Sequence, residues 1–124
     1  MFIVKTKLAA SPIHGVGCFA EEPIREGQLV LENHPSIDME ISLNLEEFPE
    51  PAKTWLSNHS HINNVTGKRM VQLDTSCFLN NSDTPNLRYV LNENGHEQYF
   101  GTREIPVGEE ITLNYSEEEQ AKPQ

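Results

Sequence analysis

A mainly β domain of short strands in small sheets, with one short helix, is the fold class this sequence predicts. Three observations carry it. Apolar residues fall in brief clusters at 2–4, 28–31, 78–79 and 111–113, separated by polar chain. Turn signals recur between them, including 23–27 and the Asn94-Gly95 pair. Only one stretch, 51–58, carries a helix start followed by inward apolar residues.

The elements follow in order. Residues 2–8 alternate apolar and polar after their first positions and predict a strand. Ser11-Pro12 and 14–17 form a turn, and 18–20 a short strand. In the 23–27 turn Gly27 is free to take positive φ, and 28–32 is then a buried strand. Asn44-Leu45-Glu46-Glu47 has capping-box-like spacing before Phe48. Pro51 opens the helix at 51–58, with Trp55 and Leu56 inward. Residues 58–67 read as a polar loop and 69–73 as a strand. Strands 87–91 and 98–102 flank Asn94-Gly95, and 110–115 is the last strand. The domain is bounded at 1–116; the acidic segment 117–124, with Pro123, is expected to be a mobile tail.

Composition limits the function classes. A chain of 124 residues makes one domain and buries roughly two thirds of its unfolded surface. Nineteen acidic residues against nine basic ones give a net charge of −10. That charge repels phosphates and anionic lipid, so neither nucleic acid nor a membrane is an expected partner. It attracts a basic protein or peptide, although solubility alone also accounts for it. The two cysteines, Cys18 and Cys77, make no disulfide framework and no CxxC pair. They suit a reducing compartment, so an intracellular site is expected, cytoplasmic if the source is bacterial. The apolar run at the N-terminus is too short for a signal peptide, and no stretch reaches membrane-spanning length.

Three blocks carry chemistry. Gly15-x-Gly17 lets a backbone approach a ligand closely, although an isolated pair of this kind is more often a tight turn. Phe78-Leu79-Asn80-Asn81-Ser82-Asp83-Thr84-Pro85-Asn86 sets side-chain amides and a proline-fixed turn after an apolar anchor. That layout suits a pocket with an apolar floor, or a hydrogen-bonded surface loop. Gly108-Glu109-Glu110-Ile111-Thr112-Leu113-Asn114-Tyr115 ends an apolar strand on a tyrosine, a position usually filled by a core residue with a satisfied hydroxyl.

In this order the blocks resemble those of SET-domain protein-lysine methyltransferases. Ser11-Pro12-Ile13-His14-Gly15-Val16-Gly17-Cys18-Phe19-Ala20 is similar to the family's glycine motif, and Ile24-Arg25-Glu26-Gly27 to the turn after it. Asn80-Asn81-Ser82-Asp83-Thr84-Pro85-Asn86 stands where the family has Asn-His-Ser/Cys-x-Pro-Asn. Residues 103–115 resemble its last segment almost throughout. The compact length is closest to the small SET proteins of bacteria and viruses. The resemblance implies a SET domain of the β-clip type, with a knot-like arrangement of the last two motifs. It implies S-adenosylmethionine as cofactor, held by His14, Gly15, Val16, Gly17, Asn80 and Asn81, and methyl transfer to a protein lysine beside Tyr115 as the catalytic residue. No metal is implied.

Three departures qualify it. Asn81 replaces the usual histidine. Asp83 stands where many relatives have a zinc-binding cysteine, so the tail, the substrate or a second subunit in a homodimer would cover the lysine channel. Residues 33–76 contain no tyrosine, where relatives place active-site tyrosines; His59-Ser60-His61 occupies that place. The two histidines either line the pocket or sit on a polar loop. An HxH pair can hold a transition metal, but no cysteine is near and the other histidines are remote, so none is expected. The same departures leave open a catalytically degenerate module that binds cofactor or a basic peptide without turnover.

Overall fold

The computed structural model describes residues 1–41 and 44–122. The chain folds into three small sheets, mainly β as the sequence predicts. Strands β1 (Thr6–Ala10) and β2 (Val16–Ala20) form a hairpin, continued by β10 (Glu110–Leu113) and β7 (Asn80–Asn81) in the order β1-β2-β10-β7. The second sheet runs β3 (Leu29–Glu32), β9 (Glu97–Gly101), β8 (Leu87–Leu91). The third runs β4 (Asp38–Ile41), β6 (Arg69–Gln72), β5 (Ser60–Ile62).

The β8–β9 hairpin shows why pattern predicts structure here. Leu87, Tyr89 and Leu91 are buried on β8, and Glu97, Tyr99 and Gly101 on β9, the period-2 alternation of a strand with one face on the core. Gly95 takes φ 83 in the connecting turn, a conformation that favours glycine. Leu31, Leu87, Leu91, Ile105 and Ile111 are at most 1% exposed. Each such side chain contributes about 1.5–3 kcal/mol by leaving water.

The two C-terminal motifs are locked together. β7 pairs in parallel with β10, Asn80 opposite Thr112 and Asn81 opposite Leu113. Asn86, 2% exposed, clips the same junction. Its Oδ1 accepts from the Thr112 amide at 2.8 Å, and its Nδ2 donates to the Glu110 carbonyl at 2.8 Å and the Glu109 carboxylate at 3.0 Å. A buried amide that satisfies three backbone and charged partners fixes register and excludes water.

Several expectations change. The first strand begins at Thr6, while Phe2 makes only a lone bridge to Leu31. The polar loop expected from 58 contains β5, because Ser60, His61 and Ile62 pair with β6. Helix α1 (Glu50–His59) has Pro51 in its first turn, as the sequence predicts, and buries Leu56. Trp55, expected to face inward, is 44% exposed and stacks on the His59 ring, centroids 3.6 Å apart, one turn along the helix.

The acidic segment expected to be a mobile tail, 117–124, begins within a helix, α2 (Tyr115–Gln120). Asn114 caps this helix, with Oδ1 accepting from the Ser116 amide at 3.1 Å. Asn64 Nδ2 closes the other end by donating to the carbonyls of Glu118, Glu119 and Ala121. Glu118 is only 5% exposed. An acidic run is ordinarily a solvated face; here one carboxylate has a buried cationic partner, described below. No helix among the described residues is long and apolar enough to cross a membrane.

Candidate active site

The candidate residues meet where β7 and β10 cross the glycine loop. Asn80 sits at the centre. Its Nδ2 donates to the carbonyls of His14 (3.2 Å) and Val16 (3.1 Å) and to the Glu110 carboxylate (2.8 Å). Asn80 therefore holds the loop from below, and those donor contacts are internal to the protein. Asn81 is exposed and accepts the Tyr115 amide on Oδ1 at 2.8 Å. This contact runs through its side chain, so asparagine at the usual histidine position ties β7 to the start of α2.

The two glycines of the loop differ in purpose. Gly15 takes φ 48, and nothing lies within 4 Å of where a Cβ would stand, so its face is open to a ligand. Gly17 is buried, and a Cβ there would lie 2.3 Å from Glu110 Oε2. That carboxylate is itself fixed by the Ser11 hydroxyl, at 2.7 and 2.9 Å to its two oxygens, and by Asn80. Gly17→Ala should therefore displace a held carboxylate and destabilise the fold by about 1–3 kcal/mol, as overpacking does. Gly15→Ala adds only the left-handed backbone penalty, about 1–2 kcal/mol, without a clash. Urea midpoints of the two variants check this, the difference lying in whether Glu110 and the loop shift.

Tyr115 begins α2 and borders a cavity of about 660 Å³, lined also by His59, Cys77, Leu79, Leu113 and Glu118. Its hydroxyl donates to the Leu79 carbonyl. Burial, then the charges of Glu118 and Cys18, raise the phenol pKa, so the ring is neutral in ordinary buffers. The 79–81 segment joins the two halves of the site: Leu79 lines the cavity, and Asn80 holds the glycine loop. His14, Gly15, Val16 and Gly17 do not border this cavity. Two smaller cavities, of about 500 and 300 Å³, border none of the candidate residues.

The sulfur chemistry is quiet. Cys18 is fully buried, its Sγ 3.2 Å from the Thr75 carbonyl, and burial with the neighbouring Cys77, Asp74 and Glu110 pushes its thiol up to about 12. Cys77 is shifted upward mainly by burial. Neither thiol has the depressed pKa of a nucleophile.

The histidine pair separates into two roles. His59 Nδ1 lies 2.9 Å from the Trp55 carbonyl, with the ring stacked on Trp55 and edge-on to Phe78. His61 is a residue whose importance the sequence does not reveal. Its Nε2 lies 2.5 Å from Glu97 on β9, and its Nδ1 2.9 Å from Glu118 on α2. Tyr89 donates its hydroxyl to the same Glu97 oxygen at 2.5 Å. Burial alone would push His61 down; the Glu118 charge and hydrogen bond, then those of Glu97, reverse this and hold it at about 10. Among the described residues no group of three His, Cys, Asp or Glu side chains is arranged to hold a metal ion.

Comparison with known proteins bears on what this arrangement is. In structure the chain is similar to a Plasmodium falciparum protein assigned as a histone methyltransferase, with TM-score 0.64 and 19% identity over 90% of this chain and 93% of that one. It is similar to a chain of a humanized mutant of Chaetomium thermophilum Polycomb Repressive Complex 2 bound to the inhibitor GSK126, with TM-score 0.67 and 19% identity. It also matches a chain of that organism's complex in an apo, autoinhibited state, with TM-score 0.68 and 19% identity. The two matches cover 93% of this chain but only 15% and 16% of those far longer chains. No curated protein matches by sequence. The sequence matches the SET domain family over residues 15–116. With that match running through the glycine loop, both C-terminal motifs and Tyr115, the chain belongs to the SET-domain family.

Proposed function

We propose that this chain transfers a methyl group from S-adenosylmethionine to a lysine side chain of a protein. The observation that carries the reading is the position of Tyr115. Its hydroxyl is pinned to the Leu79 carbonyl at the wall of the cavity, one residue from Asn80, which holds the glycine loop. A cofactor at the loop and an amine in the cavity would meet at that wall.

The residues fit such a cofactor. The face of Gly15 is open, and the Glu110 carboxylate beside Gly17 favours a cationic guest. When bound, S-adenosylmethionine supplies an electrophilic methyl on sulfur; a C–N bond forms as the C–S bond breaks. The chain's own task is positioning. His14, Gly15, Val16 and Gly17 present backbone groups, and Asn80 and Asn81 fix the loop and Tyr115 relative to one another. Alignment of this kind contributes several orders of magnitude in rate. Leu79 and Leu113 give the cavity an apolar part beside Tyr115, and Glu118 and Glu119 on its lining favour the approach of a lysine side chain.

The net charge of −10 selects a basic protein or peptide as substrate. The same charge disfavours direct nucleic-acid or membrane binding, and a second copy of the chain is the other candidate to cover the cavity mouth. Two free cysteines suit an intracellular site, cytoplasmic if the source is bacterial. One observation favours a second reading, a SET-like module that binds cofactor or peptide without turnover. Tyr115 is the one tyrosine among the described residues that line the cavity.

Titration calorimetry with S-adenosylmethionine, followed by a labelled-methyl assay on mixed basic proteins, decides between them. The transferase reading expects saturable binding and label on lysine. Binding without label supports the second reading, and absence of binding overturns the transferase reading and the cofactor-binding form of the second.

A further inference from the structure

The buried group around His61 has no part in the transferase reading as given, yet it lies against the same cavity. Both ring nitrogens face carboxylates, Nε2 toward Glu97 at 2.5 Å and Nδ1 toward Glu118 at 2.9 Å. With a carboxylate oxygen within ion-pair distance of each ring nitrogen, the arrangement favours the imidazolium, the form that can donate from both. The side chains of His61, Glu97 and Glu118 are 14%, 2% and 7% exposed. A buried charge held on two sides is costly to assemble and costly to break, so it specifies one arrangement of the elements that carry it. Those elements are β5, β9 and α2.

Helix α2 is one and a half turns long, too short to be stable alone. Tyr115 is its first residue and Glu118 lies three further on, close to one turn away. We propose that His61 is a positioning residue: its cation, shared by Glu97 and Glu118, pins α2 to β5 and β9 and so sets Tyr115 against the Leu79 wall of the cavity. The groups that face His61 fit that role. Tyr89, on β8, presents its ring edge-on at 6.3 Å and donates to Glu97. Tyr99, on β9, lies against Tyr89, ring centroids 5.1 Å apart. Arg69, on β6, donates to the Ser60 hydroxyl, so it joins a β5 side chain without competing for either carboxylate. Asn64 holds the far end of α2; its first turn is held by the Asn114 cap, by Asn81 on the Tyr115 amide, by the Tyr115 hydroxyl on Leu79 and, through Glu118, by His61.

The catalytic consequence rests on the transferase reading; the structural one does not, and the test separates them. In ¹⁵N-detected spectra of the full chain at pH 8, His61 should show two protonated ring nitrogens. In His61→Gln, amides 115–120 should exchange at least about tenfold faster, while those of β8 and β9 keep their protection. Methyl transfer should fall by about tenfold or more in turnover, with S-adenosylmethionine affinity unchanged, because displacement of a positioned group by about 1 Å has effects of this size. If His61→Gln does not fold, Glu118→Gln serves the same measurements and retains the Glu97 contact. A neutral His61 ring at pH 8, or unchanged exchange in α2 of a folded variant, overturns the proposal. A wild-type chain that methylates nothing overturns the transferase reading alone, because the ring signals and α2 exchange still decide the role of His61.

Discussion

Glu97→Ala should be among the most destabilising single substitutions in this protein, costing about 3–5 kcal/mol, the range for breaking a buried ion pair. The reason is what it leaves behind. Glu97 accepts from His61 and from Tyr89 on one oxygen, at 2.5 Å each, and its amide bonds to Asn33 Oδ1 at 2.9 Å. Removing the carboxylate leaves a buried cation with Glu118 as its one remaining carboxylate and orphans a buried hydroxyl, while the cavity adds a packing loss. Urea denaturation followed by tryptophan fluorescence measures the change. Combining Glu97→Ala with His61→Leu should cost less than the sum of the two, because each change alone already removes the interaction they share. Simple additivity would mean the two side chains do not share an interaction.

The same group gives stability a pH dependence of defined sign. The His61 pKa rises from the ordinary 6.5 to about 10 in the folded protein. Its contribution is then fully present below pH 6.5 and declines as pH rises toward 10, since only the folded state holds the proton in that window. In Glu97→Ala that alkaline slope should flatten.

What the sequence could reveal divides along a physical line. β8, β9 and β10 are legible because alternation and turn chemistry are local, and Asn94-Gly95 announces its hairpin without reference to the rest of the chain. Residues 58–67 are not. His61 reads as loop because its polarity is answered by Glu97, thirty-six residues away in sequence, and by Glu118 still farther on. The helix in the acidic tail was hidden for the same reason, since Glu118 looks solvated until His61 is placed beside it. Asn80 shows a subtler limit. Its motif marks it as important, but only the fold turns its amide inward onto His14, Val16 and Glu110. Asn86 lay in view within the same motif, and its value as a clip appears only once Thr112 and Glu110 stand next to it.

Tyr115→Phe should reduce methyl transfer by about 10²- to 10³-fold, the usual effect of removing one preorganised polar group from a reacting site. S-adenosylmethionine affinity should stay within about threefold, because the cofactor's contacts on this reading lie on the glycine loop and not on the phenol. The hydroxyl donates its hydrogen to the Leu79 carbonyl, which leaves its oxygen free to accept. On the transferase reading, that oxygen would offer partial negative charge to the cationic methyl donor and an acceptor to the incoming amine. The phenol is neutral, its pKa raised by burial and by Glu118 and Cys18, so it does not serve as the base. Two consequences follow for single-turnover rates measured from pH 6 to 10. Wild type should gain rate with pH as the substrate amine loses its proton, and Tyr115→Phe should trace the same rise to a lower plateau. A variant whose apparent pKa moves would make the phenol a proton carrier instead. A variant that turns over like wild type would remove Tyr115 from the reaction and leave its hydroxyl as a tether for α2.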